Sequence, residues 1–174
     1  RLLIRLTAGG KPFDVSIWLD RLFDRDCQLQ FATAPTGLTM DGEIQNGIAF
    51  RVQTAVRQEG GEVQVCDQRR LEFRQTRELI LAVNMGTSAQ GRPPAEECGA
   101  CSVPTAHWDD LLASHRCEHQ RHYGGLKLEL PATVPDMPTD QRIAAYRAGA
   151  EDAGLPLLYF HLGRYLLCSS TANA

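Results

Sequence analysis

Residues 155–174 read LPLLYFHLGRYLLCSSTANA, and the apolar side chains of this segment fall on every side of a helical wheel. A helix that is apolar all round normally packs against neighbours on several sides in a protein core. Within the 174 residues, no sequence follows this segment to provide such neighbours. We therefore expect a core helix whose partners are encoded further along a longer chain, of which these residues are a piece.

The composition is typical of a folded globular protein, with 43% hydrophobic and 22% charged residues. Acidic and basic residues are interspersed and give a formal net charge of −3, so there is no basic face for a nucleic acid and no polybasic run for a membrane surface. The longest apolar run, at 155–160, is far shorter than the roughly 20 residues that a membrane span needs. We expect no nucleic-acid partner and no membrane segment.

The first half of the sequence alternates between apolar and polar residues with the period of two that is typical of half-buried strands. In FDVSIWL, one face of the strand carries Phe13, Val15, Ile17 and Leu19. Further strands are predicted at 1–7, 48–56, 62–67, 70–75 and 78–85. The sequence EGG at 59–61 is expected to close a hairpin onto 62–67. Strands at this interval predict an antiparallel β-sandwich.

The second half changes to helical spacing. Residues 86–105 are rich in proline and glycine and predict a loop or linker. A helix is then expected up to Gly124, because apolar residues and histidines recur at three- and four-residue steps. The alternating LKLEL at 126–130 predicts one returning strand. After the proline-rich 131–138, Thr139 is expected to cap a short helix that ends at Gly149.

A zinc site is the first chemical interpretation to consider. Its candidate ligands are Cys98, Cys101, His115, His119 and His122. The C-x-x-C pair lies in the predicted loop and lacks a standard finger spacing, so a loop disulfide or a chance occurrence is the alternative. A thioredoxin-like role would need this pair to open a helix after a strand. The six cysteines are dispersed and do not fix the compartment.

Three carboxylate pairs are the candidates for acid–base chemistry. They are Asp109–Asp110, Glu96–Glu97 and Glu151–Asp152. Adjacent residues on a helix point apart, whereas glycoside hydrolysis needs two carboxyl groups that face each other across a cleft. We expect all three pairs to be solvated or to cap helices. The sequence also lacks the nucleophile-elbow, P-loop, dinucleotide and zinc-protease motifs. It predicts no catalytic, cofactor-binding or metal-binding residue.

The sequence from 138 onward, PTDQRIAAYRAGAEDAGLPLLYFHLGRYLLCSSTANA, resembles the α-L-fucosidases of glycoside hydrolase family 95. Thr139-Asp140 is similar to the start of a characteristic helix of the family, and Glu151-Asp152 is similar to its acidic cap. The helix that follows in the family is similar to Leu158-Tyr159-Phe160 and Gly163-Arg164-Tyr165-Leu166-Leu167. Upstream, HWDDLLASHRCEHQRHYGGLKLEL is similar to the family's linker helix and returning strand, with His115 at a commonly occupied histidine position.

This resemblance implies an architecture and an activity. The fold class is α+β: part of an antiparallel β-sandwich (1–91), a linker with a helix and a returning strand (92–137), and two helices that open an (α/α) toroid (138–174). The parent enzyme is expected to hydrolyse α-L-fucosyl or α-L-galactosyl linkages with inversion, using a glutamate acid and an asparagine-held water polarised by an aspartate. These groups are expected in barrel segments absent from the sequence, so none is assigned here.

The resemblance also implies the partners of the chain. They are a fucosylated oligosaccharide or glycan and the missing barrel domain of the same polypeptide, with no cofactor. An extracellular or periplasmic location is favoured. Two other hypotheses remain open: a self-contained carbohydrate-binding β-sandwich, which glycan binding by the chain alone would favour, and a zinc-stabilised interaction domain, which metal content and unfolding by a chelator would favour.

Overall fold

The computed structural model of the protein describes residues 1–131 and 133–171. They form two compact units, residues 1–105 and the residues from 106 onward. The first unit contains eight strands in two antiparallel sheets and one short helix, and the described part of the second contains three helices. The fold class is α+β, as predicted. The end of the predicted terminal segment, 172–174, lies outside the described residues, as does residue 132 of the proline-rich segment.

All strands of the described residues belong to the first unit. They are β1 Leu2–Thr7, β2 Phe13–Trp18, β3 Cys27–Ala34, β4 Gly37–Ile44, β5 Ala49–Glu59, β6 Glu62–Asp67, β7 Arg70–Thr76 and β8 Glu78–Thr87. One sheet has the order β1-β8-β5-β4-β3 and the other the order β2-β7-β6. Strands β3 and β4, which form a hairpin, were not predicted from the sequence.

The core of the first unit lies between the two sheets. Leu71 and Phe73 of β7 are fully buried against Leu38 of β4 and Leu79 of β8. The inward face predicted for β2 is confirmed, and it packs on this cluster through Phe13, Val15, Ile17 and Leu19. Since both sheets contribute to one apolar core, the unit is a two-layer sandwich.

The predicted hairpin at 59–61 is wrong. Both edges of β5 are already hydrogen-bonded, one to β4 and the other to β8, so β5 has no free edge for β6. The chain instead crosses to the other sheet, where β6 pairs with β7. Gly60 and Gly61 both take left-handed φ angles, +73° and +69°, and a Cβ at Gly61 would lie 2.0 Å from the carbonyl oxygen of Arg74. Two consecutive glycines therefore permit the crossing.

The predicted loop at 86–105 contains a short helix, α1 Pro94–Cys98. This helix packs directly on β8, because a Cβ at Gly86 would lie 2.3 Å from the Cys98 amide nitrogen and 2.4 Å from the Pro94 carbonyl oxygen. Asn84 fixes the end of the helix by donating from Nδ2 to the Cys98 carbonyl at 3.0 Å and to the Ala100 carbonyl at 3.3 Å. The segment is thus attached to the sandwich rather than separate from it.

The second unit contains α2 Trp108–Tyr123, α3 Thr139–Arg147 and α4 Gly154–Thr171. The three predicted helices are confirmed, although Thr139 is the first helical residue and Pro138 takes the cap position. The LKLEL segment at 126–130 is not a strand. Its alternation alone does not make one, because a strand needs a ladder of hydrogen bonds to a neighbour and none of the described residues forms one with it.

Candidate functional site

Among the ion pairs of the described residues, the most deeply buried one joins α3 to the turn before α4. Arg142 and Asp152 each have only 7% of their surface exposed. The guanidinium binds both carboxylate oxygens, from Nε to Oδ2 at 2.8 Å and from Nη2 to Oδ1 at 2.9 Å. The Gly154 amide donates to the same Oδ1 at 3.0 Å. Asp152 therefore joins the two helices and also satisfies an amide at the start of α4.

The ionisation of this pair follows from its geometry. The hydrogen bonds from Arg142 lower the pKa of Asp152 and outweigh burial, which acts in the opposite direction. The hydrogen bonds to Asp152 raise the pKa of Arg142. Both groups thus remain charged together. The Glu151–Asp152 pair was expected to be solvated or to cap a helix. Glu151 is exposed, and Asp152 is buried but accepts a hydrogen bond from an amide at the start of α4, so each residue has one of the two expected roles.

A second contact joins α2 to α4. The Arg164 guanidinium donates from Nη2 to the Tyr123 carbonyl oxygen at 2.6 Å and lies over the Tyr123 ring, 4.5 Å from its centroid. The Tyr123 hydroxyl in turn donates to the His161 carbonyl oxygen at 3.3 Å. One arginine thus satisfies a carbonyl at the end of α2 and also makes a cation–π contact there. Arg164 belongs to the Gly-Arg-Tyr sequence on which the family resemblance rested.

The histidines of α2 are divided between two sets of contacts. The rings of His115 and His119 are stacked with centroids 6.4 Å apart, and His119 stacks on Tyr123 at 5.3 Å. His122 instead contacts Glu118, from Nε2 to Oε1 at 3.0 Å. The pKa of Glu118 is lowered, first by its hydrogen bond from Arg121 and then by the one from His122.

The two cysteines of the C-x-x-C pair are free thiols. Cys98 ends α1 in a buried position, and burial raises the pKa of its thiol. Cys101 lies with its Sγ 3.5 Å from the Ala82 carbonyl oxygen. Within residues 1–131 and 133–171, no group of three or more histidine, cysteine, aspartate or glutamate side chains is arranged to hold a metal ion. The candidate ligands are divided between the two units, with the cysteines in the first and the histidines in the second.

The other two carboxylate pairs lie in the first turns of helices. Asp109 and Asp110 are exposed in the first turn of α2, where negative charge is favourable to the helix dipole. Glu96 and Glu97 occupy the first turn of α1, and Glu97 lies 3.9 Å from the guanidinium of Arg92. These positions agree with the solvated or capping roles that the sequence predicted.

A cleft of roughly 540 Å³ lies on the first unit between strands β3 to β5 and the 101–105 segment. Arg57 donates from Nη1 to the Pro104 carbonyl oxygen at 2.8 Å and holds the segment in place. Arg57 is also the one charged side chain in the lining, which otherwise consists mainly of alanine, threonine and glycine. The cleft therefore contains no pair of carboxyl groups for acid–base hydrolysis.

Helix α4 has two apolar faces. One is partly buried and carries Leu157, Phe160, Arg164 and Cys168 at helical spacing. The other is exposed and carries Leu158, Tyr159, Leu162, Tyr165 and Leu166. Tyr159 has 80% of its surface exposed, and Leu166 has 57%. None of the helices in the described parts of the chain combines the length and apolarity that a membrane crossing requires.

Comparison with known proteins gives a family match in the second unit. Residues 107–174 match the family model described as the glycosyl hydrolase family 95 catalytic domain. No curated protein matches the chain. The match confirms the resemblance read from the sequence, and it contains α2, α3, α4 and both helix-joining contacts. Residues 107–174 are therefore similar to part of a glycoside hydrolase catalytic domain.

Proposed function

We propose, from the family 95 match over residues 107–174, that the chain is the supporting part of a glycoside hydrolase that cleaves α-L-fucosyl linkages with inversion. In this proposal residues 1–91 are part of the sandwich domain, 92–137 are the linker, and 138–174 are the first helices of an (α/α) barrel. The substrate is a fucosylated oligosaccharide, and the catalytic residues lie in barrel segments outside the chain. The choice of fucose rests on the sequence resemblance.

The observation that carries the barrel proposal is the exposed apolar face of α4. Soluble proteins rarely leave large apolar patches open unless the patch contacts another element or a partner. In an (α/α) barrel each helix has helical neighbours on more than one side, so α4 needs two apolar faces. The exposed Tyr159 and Leu166 supply the second of these faces.

The buried ion pair supports the same role. Arg142 and Asp152 fix the turn between α3 and α4 through a bidentate contact and the bond to the Gly154 amide. A bidentate pair restricts both the distance and the angle between its two elements. It thereby sets the direction in which α4 leaves the turn. We assign Arg142 and Asp152 as positioning residues that orient the helix pair for the rest of a barrel.

Asp152 and Glu118 are poorly suited to act as the catalytic acid. A glycosidase acid needs a raised pKa so that it still holds its proton near the working pH. Asp152 and Glu118, the two carboxyl groups with a clear change, both have a lowered pKa. This direction favours a structural role for both and supports the proposal that the acid comes from another part of the enzyme.

The experiment compares the 174-residue chain with the protein expressed from the complete gene. Both are assayed with 2′-fucosyllactose and an aryl α-L-fucoside, and NMR identifies the anomer that is released first. We expect β-L-fucose from the complete protein and no turnover by the chain alone. Turnover by the 174-residue chain would contradict the placement of the catalytic residues outside it, and release of the α-anomer first would contradict inversion. A complete protein that is inactive on fucosides and galactosides would contradict the proposed activity.

A further inference from the structure

The outer face of the three-stranded sheet presents one large aromatic side chain. Trp18 ends β2, lies opposite Arg70 of β7 in the strand register, and has 62% of its surface exposed. Its neighbour Ile17 faces the core, so the period of the strand directs Trp18 outward. An indole offers a wide apolar face with one N–H donor at its edge, which suits a ligand that is partly apolar and partly polar.

The surroundings of Trp18 form a shallow depression of roughly 470 Å³, which we call the Trp18 platform. It is lined by Ser16, Trp18, Asp20, Asp67, Arg69 and Arg70. The Arg70 guanidinium is held in place by Glu72, from Nη2 to Oε1 at 2.5 Å, and by the Ser16 hydroxyl at 3.4 Å. Its position is therefore fixed before any ligand arrives.

The carboxylates of the platform are also oriented. Asp67 accepts a hydrogen bond from the Arg69 amide at 2.8 Å, and Asp20 accepts one from the Arg21 amide at 2.9 Å. Each contact uses one oxygen, Oδ1, so the other oxygen of each carboxylate remains an acceptor for a ligand. The platform thus combines guanidinium donors, carboxylate acceptors and an aromatic face.

The charge balance favours a neutral ligand. Two aspartates and two arginines line the depression, so their formal charges cancel. A nucleic acid or another polyanion would meet both carboxylates, and a cation would meet both guanidinium groups. A sugar ring fits this arrangement, because its C–H face stacks on an indole while its hydroxyls both donate and accept hydrogen bonds. A few converging polar groups beside an apolar surface are the usual composition of a small-ligand site.

We propose that the Trp18 platform binds a neutral oligosaccharide, with one sugar ring stacked on Trp18 and its hydroxyls hydrogen-bonded to Asp67 and Arg70. This surface holds substrate glycan on the sandwich and performs no chemistry. The proposal rests on the proposed function only for the class of glycan, a fucosylated one.

Binding by the 174-residue chain tests the proposal. Isothermal titration calorimetry and NMR titration would measure saturable binding of 2′-fucosyllactose, lactose and a cello-oligosaccharide. We expect Trp18→Ala to weaken binding at least about tenfold and Trp18→Phe to weaken it less, since a smaller aromatic face remains. Asp67→Asn should weaken binding several-fold. The matched control is Phe23→Ala, which removes an aromatic that is 95% exposed but does not line the platform.

Three outcomes would overturn this inference. The first is that the folded chain binds none of these sugars at millimolar concentrations. The second is that W18A and F23A bind as tightly as the unchanged chain. The third is a self-association that W18A abolishes in sedimentation measurements, which would make Trp18 a contact between two copies. Turnover by the complete protein is measured separately. If the platform binds no sugar, the hydrolase proposal is unaffected, and if the complete protein is inactive, the platform proposal is unaffected.

Discussion

Replacing Leu166 by glutamine tests whether the exposed apolar face of α4 is half of an interior. Leu166 lies on the open face of the helix, and 57% of its surface is exposed. Leu157 lies on the opposite, partly buried face and provides the matched control, Leu157→Gln. The two substitutions are chemically identical and lie on the same helix, so a difference between them reports on packing.

The expected magnitude follows from the exposed area. Full burial of a leucine contributes about 1.5–3 kcal/mol. Because 57% of Leu166 is exposed, roughly 0.9–1.7 kcal/mol of that contribution is still available to a covering neighbour. In the 174-residue chain, L166Q should change the free energy of unfolding by less than about 0.5 kcal/mol, as most surface substitutions do. In the protein expressed from the complete gene it should cost about 2–3 kcal/mol, because the amide is then buried without a partner.

The assay is urea unfolding followed by circular dichroism, with hydrogen exchange of the α4 amides to show that the measured change is local. L157Q should destabilise both proteins. L166Q should also reduce self-association of the 174-residue chain in sedimentation measurements, since the open face favours aggregation or oligomerisation. The reasoning fails if L166Q destabilises the chain alone as much as L157Q, or if it leaves the complete protein unchanged.

Two further predictions concern buried contacts. Because the folded pKa of Asp152 is lowered, the pair with Arg142 stabilises the fold above the unfolded aspartate pKa of about 3.9, and this contribution is lost as the pH falls through the folded value. Urea midpoints measured from neutral to acid pH should fall steeply for the unchanged chain. For Asp152→Asn the midpoint should be lower at neutral pH and should fall less steeply. Parallel curves for the two proteins would show that the ion pair does not cause the loss of stability in acid. Gly86→Ala should destabilise the first unit by about 1–3 kcal/mol, because the new Cβ meets the backbone of α1. The control Gly9→Ala should be nearly neutral, since there is open space around Gly9. Equal shifts of the melting temperature for the two variants would contradict this prediction.

The sequence predicted features that depend on short-range periodicity. The inward face of β2 and the helical stretches of the second unit follow from spacings of two and of three to four residues, and the structure confirms them. The hairpin at 59–61 failed because strand pairing is a long-range choice. The edge of β5 that a hairpin needs is taken by β8, which begins 19 residues after the end of β5.

The buried contacts were harder to predict for the same reason. Glu151 and Asp152 are equivalent in the sequence, and only the turn between α3 and α4 decides that Asp152 meets Arg142 while Glu151 stays exposed. A signal was present in the arginine ten residues earlier in a helix that ends just before the acidic pair. Trp18 was easier, since strand alternation assigns it to the outer face. Of its polar neighbours, Ser16 and Asp20 are close in sequence, whereas the others come from the end of β6, the turn after it and the start of β7.

In the proposed glycosidase, the catalytic acid must change its charge near the working pH, whereas the Arg142–Asp152 ion pair must keep its charges there. A general acid works because its pKa lies near the working pH, so its charge changes in that range. A group that orients two helices must keep its charge there, since a change would loosen the contact. Arg142 lowers the pKa of Asp152, so the carboxylate stays ionised while an acid with a raised pKa titrates. The contact that makes Asp152 unfit for proton transfer is therefore what makes it a stable brace between α3 and α4.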